Sequence, residues 1–269
     1  MGNLSKIHFQ DEDFTRKNSL QCNLFLQVDE KTCRILIVDQ ENNIRLIEEQ
    51  EVELFLNKDW SFVNLRFAKT FITALPETFI FIPEEFEDAN QGTTIAPFLD
   101  TDNSVLNAKI KNTTITTYFT LNEKVLDIHN LFSESKLIPS SNILIQQILS
   151  IPSKGIEAIA INVYREDIEI VYTKNEQFIF YNRFPKANAD DFNYYLLSVF
   201  EQFAIQVAHV QFYLTGDIDV HDENYERLSK YSAHIHFLAD LNRENTHKAL
   251  EGALSNQFLL ISELSKCVS

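Results

Sequence analysis

The order of elements between Gly155 and Leu238 constrains this chain more than any other feature. Three strands in a meander are expected at Ile156–Asn162, Asp167–Thr173 and Gln177–Phe184. A long helix follows at Asp190–Val207. Its apolar stripe is Phe192, Leu196, Val199, Phe200, Phe203 and Val207, at three- and four-residue steps. Asp190 and Asp191 stand at its positive N-terminal end. Then come a strand at His209–Gly216, a helix at Asn224–Tyr231 and a strand at Ala233–Leu238. The series βββαβαβ, with a partly parallel sheet, belongs to the α/β class.

The best boundary in the chain is Ile151-Pro152-Ser153-Lys154-Gly155, where proline ends one unit and glycine opens the next. The reading is therefore a tail or edge element over residues 1–19, a first lobe with an inserted β segment over 20–152, and a second lobe with a C-terminal helix over 153–269. In the first lobe CNLFLQVD, CRILIVD and NIRLIEE read as strands, with a hairpin turn at Gln40-Glu41-Asn42-Asn43. Glu51–Asn57 reads as a short helix, and Arg66–Leu75 and Thr78–Ile82 as strands punctuated by Pro76 and Pro83. Asp100–Asn112 is expected to be a polar surface excursion. Thr113–Leu121 is a strand by propensity, with Lys124–Leu131 as its hairpin partner. Ser140–Ser150 is a helix, and the apolar run Phe258–Leu264 sits in the C-terminal one.

Composition excludes several classes. The 269 residues carry a formal charge of −16 and no cluster of basic residues, which argues against nucleic acid and against anionic lipid. No apolar run is long enough to span a membrane, and the N-terminus lacks a secretory core. Lys6 spoils a loose myristoylation pattern. Three scattered cysteines, Cys22, Cys33 and Cys267, read as ordinary thiols of a reducing compartment, so a cytoplasmic location is expected. No P-loop, dinucleotide fingerprint or nucleophile elbow occurs. His221, His234 and His236 are expected to be ordinary polar positions, and Glu84, Glu85, Glu87 and Asp88 a solvated turn. Tyr194, Tyr195, Phe200 and Phe203 are expected in the core.

CRILIVDQENNIRLIEE and EDIEIVYTKNEQFIFYN share a pattern of strand, four-residue polar turn and strand, preceded by strands ending at Asp29 and Asn162. This suggests a duplicated fold with a cleft between the halves. The two meanders, the long helix and VQFYLTGD at Val210–Asp217 resemble the actin-like ATPase superfold, most closely its FtsA- and PilM-like branch. More narrowly, the chain resembles an uncharacterised bacterial family, a domain of unknown function on this fold. The resemblance implies an α/β, duplicated, ribonuclease H-like architecture of two βββαβαβ-type lobes with insertions.

In that superfold each phosphate hairpin has a strand-end aspartate followed by Gly-Thr or Gly-Ser, because main-chain N–H groups must approach phosphate with no Cβ in the way. Only five glycines occur in this chain. The first turn reads Val28-Asp29-Glu30-Lys31-Thr32-Cys33, and the second Asn162-Val163-Tyr164-Arg165-Glu166-Asp167. Neither contains glycine. The adenosine-side motif keeps Gly216 and has Asp217 in place of its second glycine. The remnant-site residues are thus Asp29, Lys31, Thr32, Asn162, Gly216 and Asp217, with no catalytic residue, cofactor or metal expected. The resulting expectation is a non-catalytic interaction or scaffolding protein with an unknown protein partner. No nucleotide, nucleic acid or membrane insertion is expected, and Tyr164 and Arg165 should fill the nucleotide's place. The alternative is a nucleotide-binding, ATPase-like switch using non-standard loops.

Overall fold

A computed structural model describes residues 6–57, 64–87, 95–99, 104–132, 134–151, 155–238 and 255–267. The chain forms two compact units. One holds Met1–Ile143 with Leu241–Ala253 and Leu260–Ser269; the other holds Leu144–Asp240 with Leu254–Leu259. The division falls inside the helix Ser140–Ser150, and the boundary expected at 152/153 lies outside the described residues.

The second unit is a five-stranded sheet. Its strands, numbered in chain order, are β10 (Glu157–Val163), β11 (Asp167–Lys174), β12 (Gln177–Pro185), β13 (Val210–Gly216) and β14 (Ile235–Phe237), in the spatial order β12-β11-β10-β13-β14. The meander is antiparallel, and β13 and β14 add in parallel. Helix α4 (Ala189–Gln202) crosses between β12 and β13, with Asn188 as its N-cap accepting from the main chain of Asp190 and Asp191. It ends earlier than its apolar periodicity suggests, because Ala204 adopts a left-handed backbone (φ +50°). Helix α5 (Glu223–Ser229) crosses between β13 and β14. Ile159, Ile161, Ile168, Ile170, Phe192, Leu196, Phe212 and Leu214 make one core between the helices and one face of the sheet.

The first unit repeats this order with additions. Strands β2 (Cys22–Val28), β3 (Thr32–Asp39), β4 (Ile44–Glu51), β5 (Lys69–Ala74) and β9 (Lys136–Pro139) pair as β4-β3-β2-β5-β9. An N-terminal strand β1 (Lys6–Gln10) extends the sheet by pairing antiparallel with β4. Helix α1 (Val52–Leu56) follows the meander, and α2 (Glu123–Leu131) and α3 (Ser140–Ser150) come later. Asn42 takes a left-handed backbone at the hairpin turn (φ +70°), as the turn needs. A small inserted sheet, β6 (Phe79–Pro83), β7 (Leu106–Lys109) and β8 (Ile115–Phe119), pairs as β6-β8-β7.

Two expectations fail here for identifiable reasons. Lys124–Leu131 is not a hairpin partner of β8. Asn122 Oδ1 accepts from Val125 N at 3.0 Å, so the polar stretch is a helix cap, with Val125 and Ile128 buried one turn apart. The actual partner is β7, which lies inside the stretch expected to be a surface excursion. The C-terminal helix, α6 (Leu259–Cys267), is present, with Leu259, Leu260, Ile261 and Leu264 buried.

Candidate functional site

The two meanders match residue by residue once pairing register, and not strand ends, is compared. In the first unit Thr73, Gln27, Arg34 and Glu49 lie in one row across β5, β2, β3 and β4. In the second, Thr215, Asn162, Glu169 and Arg183 lie in the corresponding row across β13, β10, β11 and β12. Each row reads threonine, amide, charge, opposite charge. Turn hydrogen bonds agree: Asp29 N donates to Thr32 O (3.0 Å) as Tyr164 N donates to Asp167 O (2.8 Å). Val52 N donates to Lys31 O as Lys186 N donates to Glu166 O. The duplication is therefore real, but its register corrects the sequence alignment. Asn162 corresponds to Gln27, and the counterpart of Asp29 is Tyr164.

In the first turn Asp29, Lys31 and Thr32 come together. The Asp29 carboxylate accepts main-chain N–H groups from Lys31 (2.8 Å) and Thr32 (2.7 Å) through Oδ1, and the Thr32 hydroxyl at 2.5 Å through Oδ2. It is a self-closed Asx turn. The amides that a phosphate-binding hairpin would present to a ligand are taken by the chain's own carboxylate, and that carboxylate would repel a phosphate brought to the same place.

The second turn is closed differently. Tyr164 is buried at 5% exposure, while Arg165 lies in solvent. Asn162 faces inward on β10 and donates through Nδ2 to Glu169 Oε2 at 2.7 Å. Tyr181 OH donates to Glu169 Oε1 at 2.6 Å. Burial, reinforced by the Glu169 carboxylate, pushes the Tyr181 hydroxyl well above its ordinary pKa, so it remains a donor. Beside this group Arg183 grips Asp167 through Nε and Nη2, both at 2.9 Å. Asn162 is thus a member of a buried structural network that sequence reasoning did not find. The alternation of Asp167, Glu169 on β11 against Tyr181, Arg183 on β12 was its only available signal.

Gly216 and Asp217 form the corner after β13, next to Asn162. Gly216 has φ +86°, and a Cβ there would stand 2.6 Å from Asn162 Oδ1 and collide with the Val163 carbonyl. The glycine is required by this close approach of protein backbone. Asp217 N donates to Val163 O at 2.6 Å. Asn256, from a distant segment, donates through Nδ2 to Gly216 O (2.9 Å) and Ile218 O (2.8 Å), while its own carbonyl accepts from Thr215 Oγ1 (2.8 Å). Nothing in the sequence pattern announces Asn256, because its contact spans some forty residues.

The remaining candidates resolve into structural roles. His236 Nε2 lies 2.9 Å from Gln211 Oε1, and its ring stacks on Tyr213. Among the described residues no group of three His, Cys, Asp or Glu is placed to hold a metal. Glu84 pairs with Lys109. Tyr194 is 66% exposed, contrary to expectation, while Phe200 is buried and Tyr195 stacks on Phe184. Burial raises the thiol pKa of Cys22 and, further, of Cys33, which leaves both poor nucleophiles at neutral pH. A polar cavity of about 290 Å³ borders Asp13, Asn18, Cys22, Asp39 and Arg45, and Arg45 is already held by Asp39 and Asp11. No helix among the described residues is long and apolar enough to cross a membrane.

Residues 11–235 match the family described as a protein of unknown function (DUF3822), and the chain belongs to that family. Among proteins of curated function, none matches it. A solved structure from Bacteroides thetaiotaomicron VPI-5482, a protein with actin-like ATPase fold and unknown function, superposes with TM-score 0.73 at 16% identity, covering 90% of this chain and 99% of that one. A chain of the PilM-PilN type IV pilus biogenesis complex superposes with TM-score 0.62 at 10% identity, covering 92% and 98%. The fold is that of the actin-like ATPases, duplicated and with insertions.

Proposed function

We propose that this member of the DUF3822 family is a non-catalytic interaction or scaffolding protein on an actin-like fold that no longer binds nucleotide. The observation carrying this reading is the closure of both hairpin turns by the protein itself. Asp29 takes the amides of Lys31 and Thr32, and Tyr164 is packed where the second turn would need bare backbone. Charge points the same way. The register pairs Asp29 with Tyr164 and Gln27 with Asn162, so neither of these two positions carries a carboxylate in both copies.

An actin-like fold without a nucleotide site still offers a partner the surface of two packed sheets. The PilM-like neighbour comes from a protein complex, which favours a protein partner for this chain as well. The partner, the location (expected to be cytoplasmic) and the absence of any cofactor are parts of the same proposal.

Isothermal titration of the full chain with Mg-ATP and Mg-ADP at millimolar nucleotide tests it. The proposal expects no saturable heat. Saturable binding that is lost in Asp29→Ala would instead establish a nucleotide switch with non-standard loops.

A further inference from the structure

The βββαβαβ series of the second unit is complete at β14, which ends at Phe237. One further turn of chain, Ser255–Phe258, belongs to that unit all the same. It docks at the corner after β13 through a defined set of hydrogen bonds. The side-chain amide of Asn256 donates through Nδ2 to two main-chain carbonyls, Gly216 O at 2.9 Å and Ile218 O at 2.8 Å. In return the main-chain carbonyl of Asn256 accepts from Thr215 Oγ1 at 2.8 Å. Asn256 is buried, and so is Phe258, two residues on. A carboxylate or an aliphatic side chain at Asn256 would have no N–H to give the two carbonyls. Gly216, with φ +86°, turns the chain so that the carbonyls of residues 216 and 218 converge on one amide nitrogen. In the first unit Ala74 stands at the matching place without a left-handed backbone, and the matching Thr73 Oγ1 has no partner among the described residues. The socket is thus an addition made in the second unit and not a property of the repeat.

Resting on the reading of this chain as an interaction protein, we infer that the corner Thr215–Ile218 is a peptide-docking socket with Ser255–Phe258 as its resident occupant. A segment of a partner protein with the same chemistry displaces that occupant. The chemistry is a primary carboxamide side chain, whose own main-chain carbonyl meets the Thr215 hydroxyl, followed two residues later by an aromatic ring. The resident turn comes from 41 residues beyond Thr215, and no strand of the five-stranded sheet is built from it. Its departure dismantles no strand pair. The groups it leaves behind at the corner are a hydroxyl and two carbonyls, which water solvates once the corner is open. Because the resident turn is part of the same chain, its effective concentration is on the order of millimolar. A separate segment therefore competes only when it binds more tightly or when the resident amide is lost.

Fluorescence anisotropy of a labelled synthetic peptide of residues 255–264, titrated with the full chain, tests the socket. Asn256→Ala in the chain strips the resident turn of its amide, and this variant should bind the peptide about tenfold more tightly than the wild type does. The same peptide carrying Asn256→Ala should lose that gain. Native-state hydrogen exchange on the wild type keeps the test decisive if the variant does not fold. The amides of Ser255–Phe258 should exchange through an opening that leaves β10 and β13 protected. A peptide that binds Asn256→Ala no better than wild type, a gain indifferent to the peptide's asparagine, or exchange of Ser255–Phe258 only together with β10 overturns the inference and leaves the nucleotide-free reading standing. Millimolar Mg-ATP should leave the exchange of Ser255–Phe258 unchanged. Faster exchange there with Mg-ATP does the reverse, keeping the displaceable turn and removing that reading.

Discussion

Gln27 and Asn162 occupy the same position in the two sheets, each flanked by a threonine on one side, Thr73 or Thr215, and by a charged side chain on the other, Arg34 or Glu169. Their surroundings have diverged. Asn162 donates to Glu169, and Thr215 donates to the carbonyl of Asn256. Gln27 Oε1 and Thr73 Oγ1, both buried, have no hydrogen-bond partner among the described residues. The second copy has been closed by a polar network, and the first has two atoms in the matching place without a partner among the described residues.

Thr73→Val should therefore be neutral or stabilising. A buried hydroxyl without a partner carries a desolvation cost of about 1–3 kcal/mol, and the isosteric methyl removes it. Urea denaturation should show an unchanged or higher midpoint with unchanged slope. A loss of more than about 1 kcal/mol would mean that Thr73 holds a group such as a buried water. Thr215→Val, at the matching position, should destabilise by about 1 kcal/mol, since its hydroxyl is bonded.

Gly216→Ala should be among the most damaging small substitutions in the chain. It combines a left-handed backbone with a Cβ driven into the Val163 carbonyl. A loss of about 2–4 kcal/mol is expected from equilibrium unfolding. Gly155→Ala is the control, because it has a positive φ of 74° but open space around the Cβ, and should cost about 1 kcal/mol.

Glu169→Leu should cost about 2–4 kcal/mol, because it leaves the Asn162 amide and the Tyr181 hydroxyl buried without their acceptor. Combining it with Tyr181→Phe should recover part of that loss, since one orphaned donor disappears. Strictly additive losses would deny that the three side chains form one network.

The order of elements in the second unit, and in the first unit's meander, was legible in the sequence because hydrophobic period and turn residues agree there. Phe192, Leu196 and Val199 announce α4, and Asn42 announces its hairpin. Lys124–Leu131 was misread because the polar turn before it serves equally as a helix cap, and only tertiary burial of Val125 and Ile128 decides between them. Asp29 and Lys31 lie in the first turn and Thr32, Asn162 and Gly216 at or near strand ends, but what these side chains bond to was not legible. An aspartate that binds a ligand and one that bonds to its own amides look identical in sequence. Gly216 was read as a remnant of nucleotide binding; the close approach of the Val163 carbonyl, which also requires a glycine there, was not legible.

Acid should loosen the N-terminal edge first. Burial pushes the Asp39 carboxyl upward, but hydrogen bonds from Asn43 and Arg45 outweigh this and hold it below its ordinary value. Its contribution is therefore fully present above the unfolded pKa of about 4 and is lost as pH falls through the lower folded value. Arg45 also holds Asp11, immediately after β1. Below about pH 4, hydrogen exchange in residues 6–10 should accelerate before that of β3. In Asp39→Asn the early exchange should already be present at neutral pH.

Thermal unfolding of the full chain with and without Mg-ATP tests the central claim most directly. A ligand bound only by the folded form adds about 2.7 kcal/mol at a hundred times its dissociation constant, a rise of several degrees for a protein of this size. The account predicts no change in Tm at millimolar Mg-ATP, because Asp29 and Tyr164 already occupy the two turns. A concentration-dependent rise that disappears in Asp29→Ala would contradict it.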